Sequence, residues 1–335
     1  MAGDVVVPPR ALFDRLPRLV DLVPWVELAD GLPTPVEQID DGLYVQRDNA
    51  TDSHYGGNKV RKLEFVLPIA LRKGGPVLTA GAIGSHHVYA TAVHAARLGL
   101  EVEAVRYPQP ETAHVQAVDA ALRRLPNVRH TMVPHRYAMP IALIARRAAI
   151  ERSGGYAVLP GATSPLGVLG YVSAALELID AFADAGWSPP DDVVVALGSG
   201  GSAAGLTIGL QLGGWRHTRV VAVRVADAVV TNRALLAAHA VGAFALLGMA
   251  GWVPRHGNIA IERGYLGEGY GHPSEVGDHA VGEGARLGLE LEATYTAKAF
   301  AAALDRWRAG RRVVFVQTYA GHASVDHADA GHAGQ

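Results

Sequence analysis

Cysteine is absent from this 335-residue chain, and lysine is almost absent. The lack of cysteine excludes disulfides, cysteine-ligated zinc and a thiol nucleophile. Positive charge comes almost entirely from arginine, because the only lysines are Lys59, Lys62, Lys73 and Lys298. In such a chain, a lysine that stands on a glycine-rich turn is a stronger candidate for a catalytic role.

Surplus charge and long hydrophobic runs are also missing. The formal net charge is −2, so neither nucleic acid nor an anionic membrane is expected as a partner. No apolar run is long and uncharged enough to span a bilayer. The N-terminus carries an early acid and prolines and no unbroken apolar core, which is untypical of a signal peptide. A cytoplasmic protein is therefore expected.

The length and composition are those of a globular protein with about two domains. Apolar residues make up 49% of the chain and charged residues 19%. Between residues 61 and 160 apolar strands alternate with helical segments, which predicts right-handed crossovers and a parallel sheet. A second α/β unit follows. We expect a small α/β domain over 61–160 and a large domain made of 1–60 plus 161–335.

Lys59 comes directly after a flexible turn, Gly56-Gly57-Asn58, and directly before an apolar run with helical period. A turn that opens a helix can hold a side chain at the rim of a pocket. An amine held there is able to form an imine with an aldehyde cofactor. The alternative is a surface lysine in a first helical turn, and the turn by itself leaves both interpretations open.

A glycine-rich run, Gly198–Gly205, follows a β-branched apolar strand predicted over 192–197 and opens an apolar helix. Backbone N–H groups converge in such a turn and the helix dipole favours negative charge, so the run predicts an anion cradle. The hydroxyls of Ser199 and Ser202 can add donors. No lysine follows, so the run is not a Walker A motif.

A second turn of the same kind is Gly84-Ser85-His86-His87, which lies between a predicted strand and a predicted helix. The setting predicts an anion site suited to a substrate carboxylate. Adjacent residues on a helix point in different directions, so no metal shared by His86 and His87 is expected.

Five stretches, in this order, resemble motifs of one known family: GGNKVRKLEF, GAIGSHHVYATAVHAARLGL, GSGGSAAGL, GYGHPSE and TYTAKA. They are similar to motifs of the D-cysteine desulfhydrase and 1-aminocyclopropane-1-carboxylate deaminase family. These enzymes use pyridoxal 5′-phosphate and share the two-domain tryptophan-synthase-β-like fold (fold type II), with parallel sheets flanked by helices. The resemblance covers roughly residues 32–322. It implies an enzyme that binds its cofactor in the large domain, acts on a small amino acid and forms a homodimer.

The resemblance also implies roles for individual residues. Lys59 would bond to the aldehyde carbon of the cofactor and, once released, remove the α-proton of the substrate. Cofactor contacts are expected from Asn58, Lys59, His86, Gly198, Ser199, Gly200, Gly201, Ser202, Thr296 and Thr318. Substrate contacts are expected from Ser85, His86, His87, Tyr270 and Tyr295. Catalytic roles are expected for Lys59, Ser85, Tyr270 and Tyr295.

The chain departs from the family pattern around the expected pocket. Gly84 replaces a glutamine, and His86 replaces an asparagine that touches the ring hydroxyl of the cofactor. Tyr319 and Ala320 add bulk where the family has glycines. Position 296 carries threonine, as in the desulfhydrase branch, whereas the deaminase branch has a glutamate against the ring nitrogen.

Together, the resemblance and Thr296 predict a lyase that eliminates a leaving group from Cβ of a small amino acid and forms a keto acid and ammonia. Three alternatives stay open. They are ring opening of 1-aminocyclopropane-1-carboxylate, β-replacement by a second nucleophile, and a cofactor-binding homologue without turnover.

Overall fold

The computed structural model describes residues 10–228, 231–249, 258–272 and 274–321. These residues form two β-sheets with helices packed against their faces. The arrangement is α/β, as the alternation of strands and helices predicts.

Six strands form the larger sheet: β1 Val36–Asp40, β2 Leu43–Gln46, β7 Asp192–Leu197, β8 Arg219–Arg224, β9 Ile259–Glu262 and β10 Val313–Val316. Their order is β1-β2-β10-β7-β8-β9. β1 is antiparallel to β2, and the other neighbours are parallel. The carboxyl ends of these parallel strands therefore meet at one edge of the sheet.

The smaller sheet has four parallel strands: β3 Val77–Ala82, β4 Val102–Tyr107, β5 Val128–Met132 and β6 Tyr156–Ala157. Their order is β5-β4-β3-β6. All four strands lie between residues 61 and 160, whereas the strands of the larger sheet come from both sides of that segment. The boundaries of the two domains stay a prediction.

The α-helices of the described residues are α1 Ala11–Arg15, α2 Leu19–Leu22, α3 Asn58–Lys73, α4 His86–Arg97, α5 Ala113–Arg124, α6 Met139–Arg152, α7 Pro165–Asp184, α8 Gly201–Leu212, α9 Arg233–Leu246, α10 Glu275–Arg286 and α11 Thr296–Arg308. Local signals explain several of their ends. α3 ends at Gly74, whose φ of 70° allows its N–H to close the last turn on the carbonyls of Ala70 and Leu71.

Contrary to the expectation from the sequence, one helix, α7, is long and apolar enough to cross a membrane by length and composition alone. Most of it is buried inside the fold, where it packs against α3, α8 and α9. Its apolar side chains are therefore buried in the protein core, as in the central helix of a globular protein.

The N-terminal segment contributes to the protein core. Leu12 and Phe13 of α1 and Leu19 of α2 are fully buried in the core around α7. The strands β1 and β9 have no clear apolar pattern in the sequence. Both lie at edges of the larger sheet, where one neighbour is enough and the apolar pattern is correspondingly weak.

Candidate active site

A cavity of about 730 Å³ lies where the carboxyl ends of β3 and β7 face each other. Its lining includes residues 84–87, which follow β3, and residues 198–200, which follow β7. Parallel strands present loops and helix N-termini at their carboxyl ends, so ligands of α/β proteins bind there. This cavity is the candidate active site.

Lys59 lines the cavity from the first turn of α3. Gly57 precedes it with a φ of 84°, and a Cβ there would lie 2.8 Å from the carbonyl oxygen of Thr318, so only glycine permits this approach. Nζ of Lys59 donates to Oδ1 of Asn58 at 2.5 Å. Burial lowers the pKa of Lys59 to about 8, although the carboxylate of Glu292 acts in the opposite direction. The result is a buried amine of which about a tenth is neutral at pH 7, far more than for an ordinary lysine.

The turn after β7 has the geometry of an anion cradle. Gly200 precedes α8 with a φ of 89°, and the first-turn N–H groups of α8 have no carbonyl partner within the helix. Oγ of Ser199 lies 2.6 Å from Oγ1 of Thr163. Nδ2 of Asn58 donates to Oγ of Ser202 at 3.4 Å, which connects the cradle to the lysine turn.

Lys62 reaches the same cradle from α3. Its Nζ lies 3.4 Å from the carbonyl oxygen of Gly161 and would lie 3.1 Å from a Cβ at position 201. Burial, and to a smaller degree the charge of Lys59, holds the pKa of Lys62 well below its usual range. A phosphate dianion in the cradle would supply the opposite charge that favours the protonated amine. Glycine N–H groups, hydroxyls and a lysine together fit a phosphate group.

The turn after β3 presents donors to the cavity. Ser85 is the N-cap of α4, and its Oγ accepts from the N–H of Val88 at 3.4 Å. The N–H groups of His86 and His87 belong to the first turn and have no i−4 carbonyl within the helix. This positive end of the α4 dipole suits a carboxylate.

His87 is held by the core. Its Nε2 lies 2.9 Å from Oγ1 of Thr79, and that hydroxyl also donates to the carbonyl oxygen of Val158 at 3.1 Å. A hydroxyl has one proton, so His87 must donate through Nε2, and Nδ1 of the neutral ring is an acceptor. Burial lowers the pKa of His87 well below its ordinary value, with smaller effects from Lys59 and Lys62. His87 therefore contributes a neutral imidazole, not a cation.

His86 has both ring nitrogens engaged. Its Nδ1 is hydrogen-bonded to the hydroxyl of Tyr55, and its Nε2 lies 2.7 Å from Nε2 of His114. Tyr319 packs edge-on against both imidazole rings. A contact between His86 and the ring hydroxyl of a cofactor would require one of these hydrogen bonds to give way, and it stays a prediction.

Tyr270 and Tyr295 form a hydrogen-bonded pair in the cavity wall. The Tyr295 hydroxyl donates to the Tyr270 hydroxyl at 2.8 Å. Burial raises the pKa of both hydroxyls well above the ordinary value, so both stay protonated near neutral pH. Because Tyr295 is the donor within the pair, the proton of Tyr270 is available to a third group.

Thr296 begins α11 beside a buried carboxylate. The carboxylate of Glu292 accepts from the backbone N–H groups of residues 294–296 at 2.6–2.8 Å. The Thr296 hydroxyl accepts from the N–H of Glu292 at 2.9 Å. Burial raises the pKa of Glu292, and the backbone donors oppose that effect. The cavity wall here offers a neutral hydroxyl with a carboxylate one turn before it.

The structure brings the predicted site residues together. Those that line this one cavity are Asn58, Lys59, Ser85, His86, His87, Gly198, Ser199, Gly200, Ser202, Tyr270, Tyr295, Thr296 and Thr318. Gly201, the first residue of α8, is not among the lining residues. The individual roles of these residues stay predictions.

Sequence reasoning missed several neighbours of the site: Tyr55, Lys62, His114 and Glu292. For Lys62 a local signal existed, because residues three apart share a helix face and Lys59 was already identified. No local sequence signal pointed to His114, because α5 brings it to His86 only through tertiary packing.

The fold and the cavity define an α/β enzyme that places a lysine amine beside a phosphate-sized anion cradle. The chain belongs to the pyridoxal-phosphate dependent enzyme family, whose model matches residues 29–318. The predicted cofactor, enzyme class and fold class are thereby confirmed.

Individual relatives cover nearly the whole chain. D-cysteine desulfhydrase of Klebsiella pneumoniae is 35% identical over 321 residues, which span 88% of this chain and 93% of the relative. D-cysteine desulfhydrase of Salmonella typhi is 34% identical over 304 residues, 84% of this chain and 88% of the relative. A crystal structure of an ACC deaminase homologue superposes with a TM-score of 0.78 at 29% identity, covering 96% and 98% of the two chains. These matches confirm the resemblance drawn from the motifs.

Proposed function

We propose that this enzyme catalyses β-elimination from a small amino acid, in the manner of a D-cysteine desulfhydrase, and releases a keto acid and ammonia. The observation that carries the proposal is the meeting of three features in one cavity. They are the buried amine of Lys59, the anion cradle and the pair of protonated tyrosines. When bound, pyridoxal phosphate supplies an electron sink for the charge that develops at the substrate α-carbon.

Two groups of residues would hold the cofactor. The phosphate would lie against the cradle and the amine of Lys62, with the hydroxyl of Ser199 as a further donor. The ring would lie between the lysine turn and the N-terminus of α11, within reach of Asn58, Lys59, Thr296 and Thr318.

Lys59 is the proposed base. With the substrate amine in its place, the Nζ amine of Lys59 would be free to accept the α-proton. Burial favours the neutral amine that this step requires, and its pKa of about 8 keeps proton return possible near neutral pH. Glu292 lies close enough to raise the basicity of Lys59 without bonding to it directly.

Tyr270 is the proposed acid for the leaving group. Its hydroxyl accepts from Tyr295, so its own proton can pass to the departing sulfur or oxygen at Cβ. The Ser85 turn is the proposed carboxylate site, and it would fix the α-carbon relative to Nζ of Lys59. Without that anchor, only part of the bound substrate would have its α-proton close to Nζ of Lys59.

The test is product analysis on a panel of amino acids. The cofactor-loaded enzyme is incubated with D- and L-cysteine, both isomers of β-chloroalanine, D-serine and 1-aminocyclopropane-1-carboxylate, and keto acid, ammonia and sulfide are measured. We expect equal amounts of pyruvate and ammonia from at least one amino acid that has a leaving group at Cβ. Lys59→Ala should lose about 10²–10⁴-fold in rate, while Lys73→Ala, on the exposed end of the same helix, should match the wild type. No pyruvate from any compound that has a leaving group at Cβ would overturn the proposal.

Ring opening of 1-aminocyclopropane-1-carboxylate is the second candidate, because a solved relative carries the name ACC deaminase homologue. The neutral Thr296 opposes it, since a carboxylate at that position would hold the ring nitrogen protonated. α-Ketobutyrate from the cyclopropane and no pyruvate from the panel would favour this reading. Consumption of amino acid only when a second nucleophile is added would favour β-replacement.

We also propose that the enzyme is a cytoplasmic homodimer built from a large domain, 1–60 plus 161–335, and a small domain, 61–160. The family resemblance supports the dimer and the division of the chain. Light scattering on the purified protein would give the molar mass, with twice the chain mass expected.

A further inference from the structure

His86 and His114 form a close pair of imidazoles beside the proposed carboxylate site. Their Nε2 atoms lie 2.7 Å apart and their rings are stacked with centroids 4.9 Å apart. Tyr55 bonds to the other nitrogen of His86, and Tyr319 covers both rings edge-on. The pair joins the first turns of two helices, α4 and α5.

Gly84 is what allows α5 to come this close. A Cβ at position 84 would lie 2.9 Å from Cγ2 and 3.1 Å from Cα of Val115, and 3.0 Å from Nε2 of Gln109. Val115 follows His114 in the first turn of α5. A side chain at position 84 would therefore push away the turn that carries His114. The departures at positions 84 and 86 are therefore connected, because the glycine at 84 leaves room for the turn that carries the hydrogen-bond partner of His86.

Proton counting shows how the pair behaves. At 2.7 Å one Nε2 must donate and the other must accept, because two protons or none would place like charges in contact. A further proton can then bind to one imidazole and be shared with the other, while a second further proton would set two cations side by side. The two rings titrate as one unit that takes up a single proton.

We propose that the His86–His114 pair takes up one proton when a substrate carboxylate binds at the Ser85 turn, and that His114 is a positioning residue for substrate recognition. The inference rests on the proposed function, in which Ser85 and the first turn of α4 hold that carboxylate. His86 directly follows Ser85, so an anion bound there stabilises the protonated pair. Binding is then tighter at low pH and weakens as the pH rises through the titration of the pair, by at most about tenfold per unit.

Tyr55 and Tyr319 contact the pair directly. Around them, Lys59 and His87 line the same cavity, Tyr89 packs on Tyr55, and Glu290 and Glu292 act on Tyr319. Burial raises the pKa of Tyr55 and Tyr319 and lowers that of His87, so these three stay neutral between pH 6 and 8. Lys59 is present in every protein compared below, so its contribution cancels in the difference.

The experiment measures proton uptake by calorimetry. Cofactor-loaded enzyme is titrated with D- and L-alanine, which have no leaving group at Cβ, in buffers of different ionisation enthalpy at pH 6.5, 7.0 and 7.5. We expect the wild type to take up roughly half a proton or more beyond His114→Gln, since a single site contributes at most about one. Glutamine keeps hydrogen-bonding groups but cannot titrate. His279→Gln, an exposed histidine on α10, is the control and should match the wild type.

Gly84→Ala provides a second test that leaves both imidazoles in place. By displacing the first turn of α5 it should lower proton uptake toward the His114→Gln value and reduce the pH dependence of alanine affinity. Equal proton uptake by the wild type, Gly84→Ala and His114→Gln, with alanine bound by all three, would overturn this inference and leave β-elimination untouched. Failure of the wild type to bind either isomer of alanine would overturn the carboxylate site itself, and this inference with it.

Discussion

The two ends of the cavity are built in different ways. The cradle end uses backbone N–H groups from one continuous stretch, Gly198–Ser202, and adds Lys62 from one other helix. The imidazole end joins Tyr55, His86, His114 and Tyr319, which come from four separate segments. The cradle depends on a local turn, whereas the imidazole end depends on how α4, α5 and the segment after β10 pack together.

This difference separates what is shared with relatives from what is particular to this chain. A phosphate has the same shape and charge whatever substrate the enzyme acts on, so relatives with different substrates can share one backbone turn. A substrate differs from enzyme to enzyme, and its end of the cavity changes through several side chains at once. The motif resemblance places its departures, Gly84, His86 and Tyr319, at one end, and its matching glycine run at the other.

The largest expected effect is at the cradle. Gly200→Asp adds a negative charge beside the turn that would hold the phosphate, with its Cβ directed toward Leu236, and charge repulsion should weaken cofactor binding on the order of 100-fold or more. The cofactor-specific absorbance retained after dialysis measures it. Gly214→Asp is a matched control, because Gly214 has the same φ of 89° but open space around it. Equal retention in the two variants would show that the turn does not hold the phosphate.

A smaller effect is expected from Lys62→Met. The change removes the amine near Gly161 and leaves the backbone of the cradle in place. A charge-assisted hydrogen bond contributes about 1.5–3 kcal/mol, so cofactor affinity should fall roughly 10- to 100-fold. Lys73→Met, on the exposed end of α3, should leave affinity unchanged. An unaltered dissociation constant for Lys62→Met would limit the cradle to its backbone donors.

Of the two ends of the cavity, the imidazole end is the one whose contribution to folding stability should fall at low pH. His94 donates through Nε2 to the backbone carbonyl of Tyr55 at 3.0 Å and accepts at Nδ1 from Arg97. Burial lowers the pKa of His94 to about 4, against roughly 6.5 in the unfolded chain. The folded state thus binds fewer protons, and stability present above pH 6.5 is lost as the pH falls toward 4.

For this single group the loss at pH 5 is at most about 2 kcal/mol. Urea denaturation at pH 7 and pH 5 measures it for the wild type and for His94→Gln. The variant should lose less stability between the two pH values than the wild type does, and His279→Gln should lose as much as the wild type. Parallel losses in all three proteins would show that His94 is not held neutral by the fold.

The parts of the molecule that the sequence predicts are those with local causes. The strand over 192–197 and the following glycine turn were identified to the residue, because a β-branched run and a glycine run both act over a few positions. Lys59 was placed beside the cradle through the resemblance of motifs that lie far apart in the chain. The burial of Phe13 and the contact between His86 and His114 depend on packing between distant segments, which no local pattern specifies.

The central claim is that Lys59 carries the cofactor with its phosphate in the cradle. Borohydride reduction of the loaded enzyme, followed by digestion and fragmentation mass spectrometry, tests this most directly. The account predicts that the reduced cofactor is attached to Lys59, and that Gly200→Asp lowers the yield of this adduct. Attachment to Lys62, Lys73 or Lys298 would contradict the account.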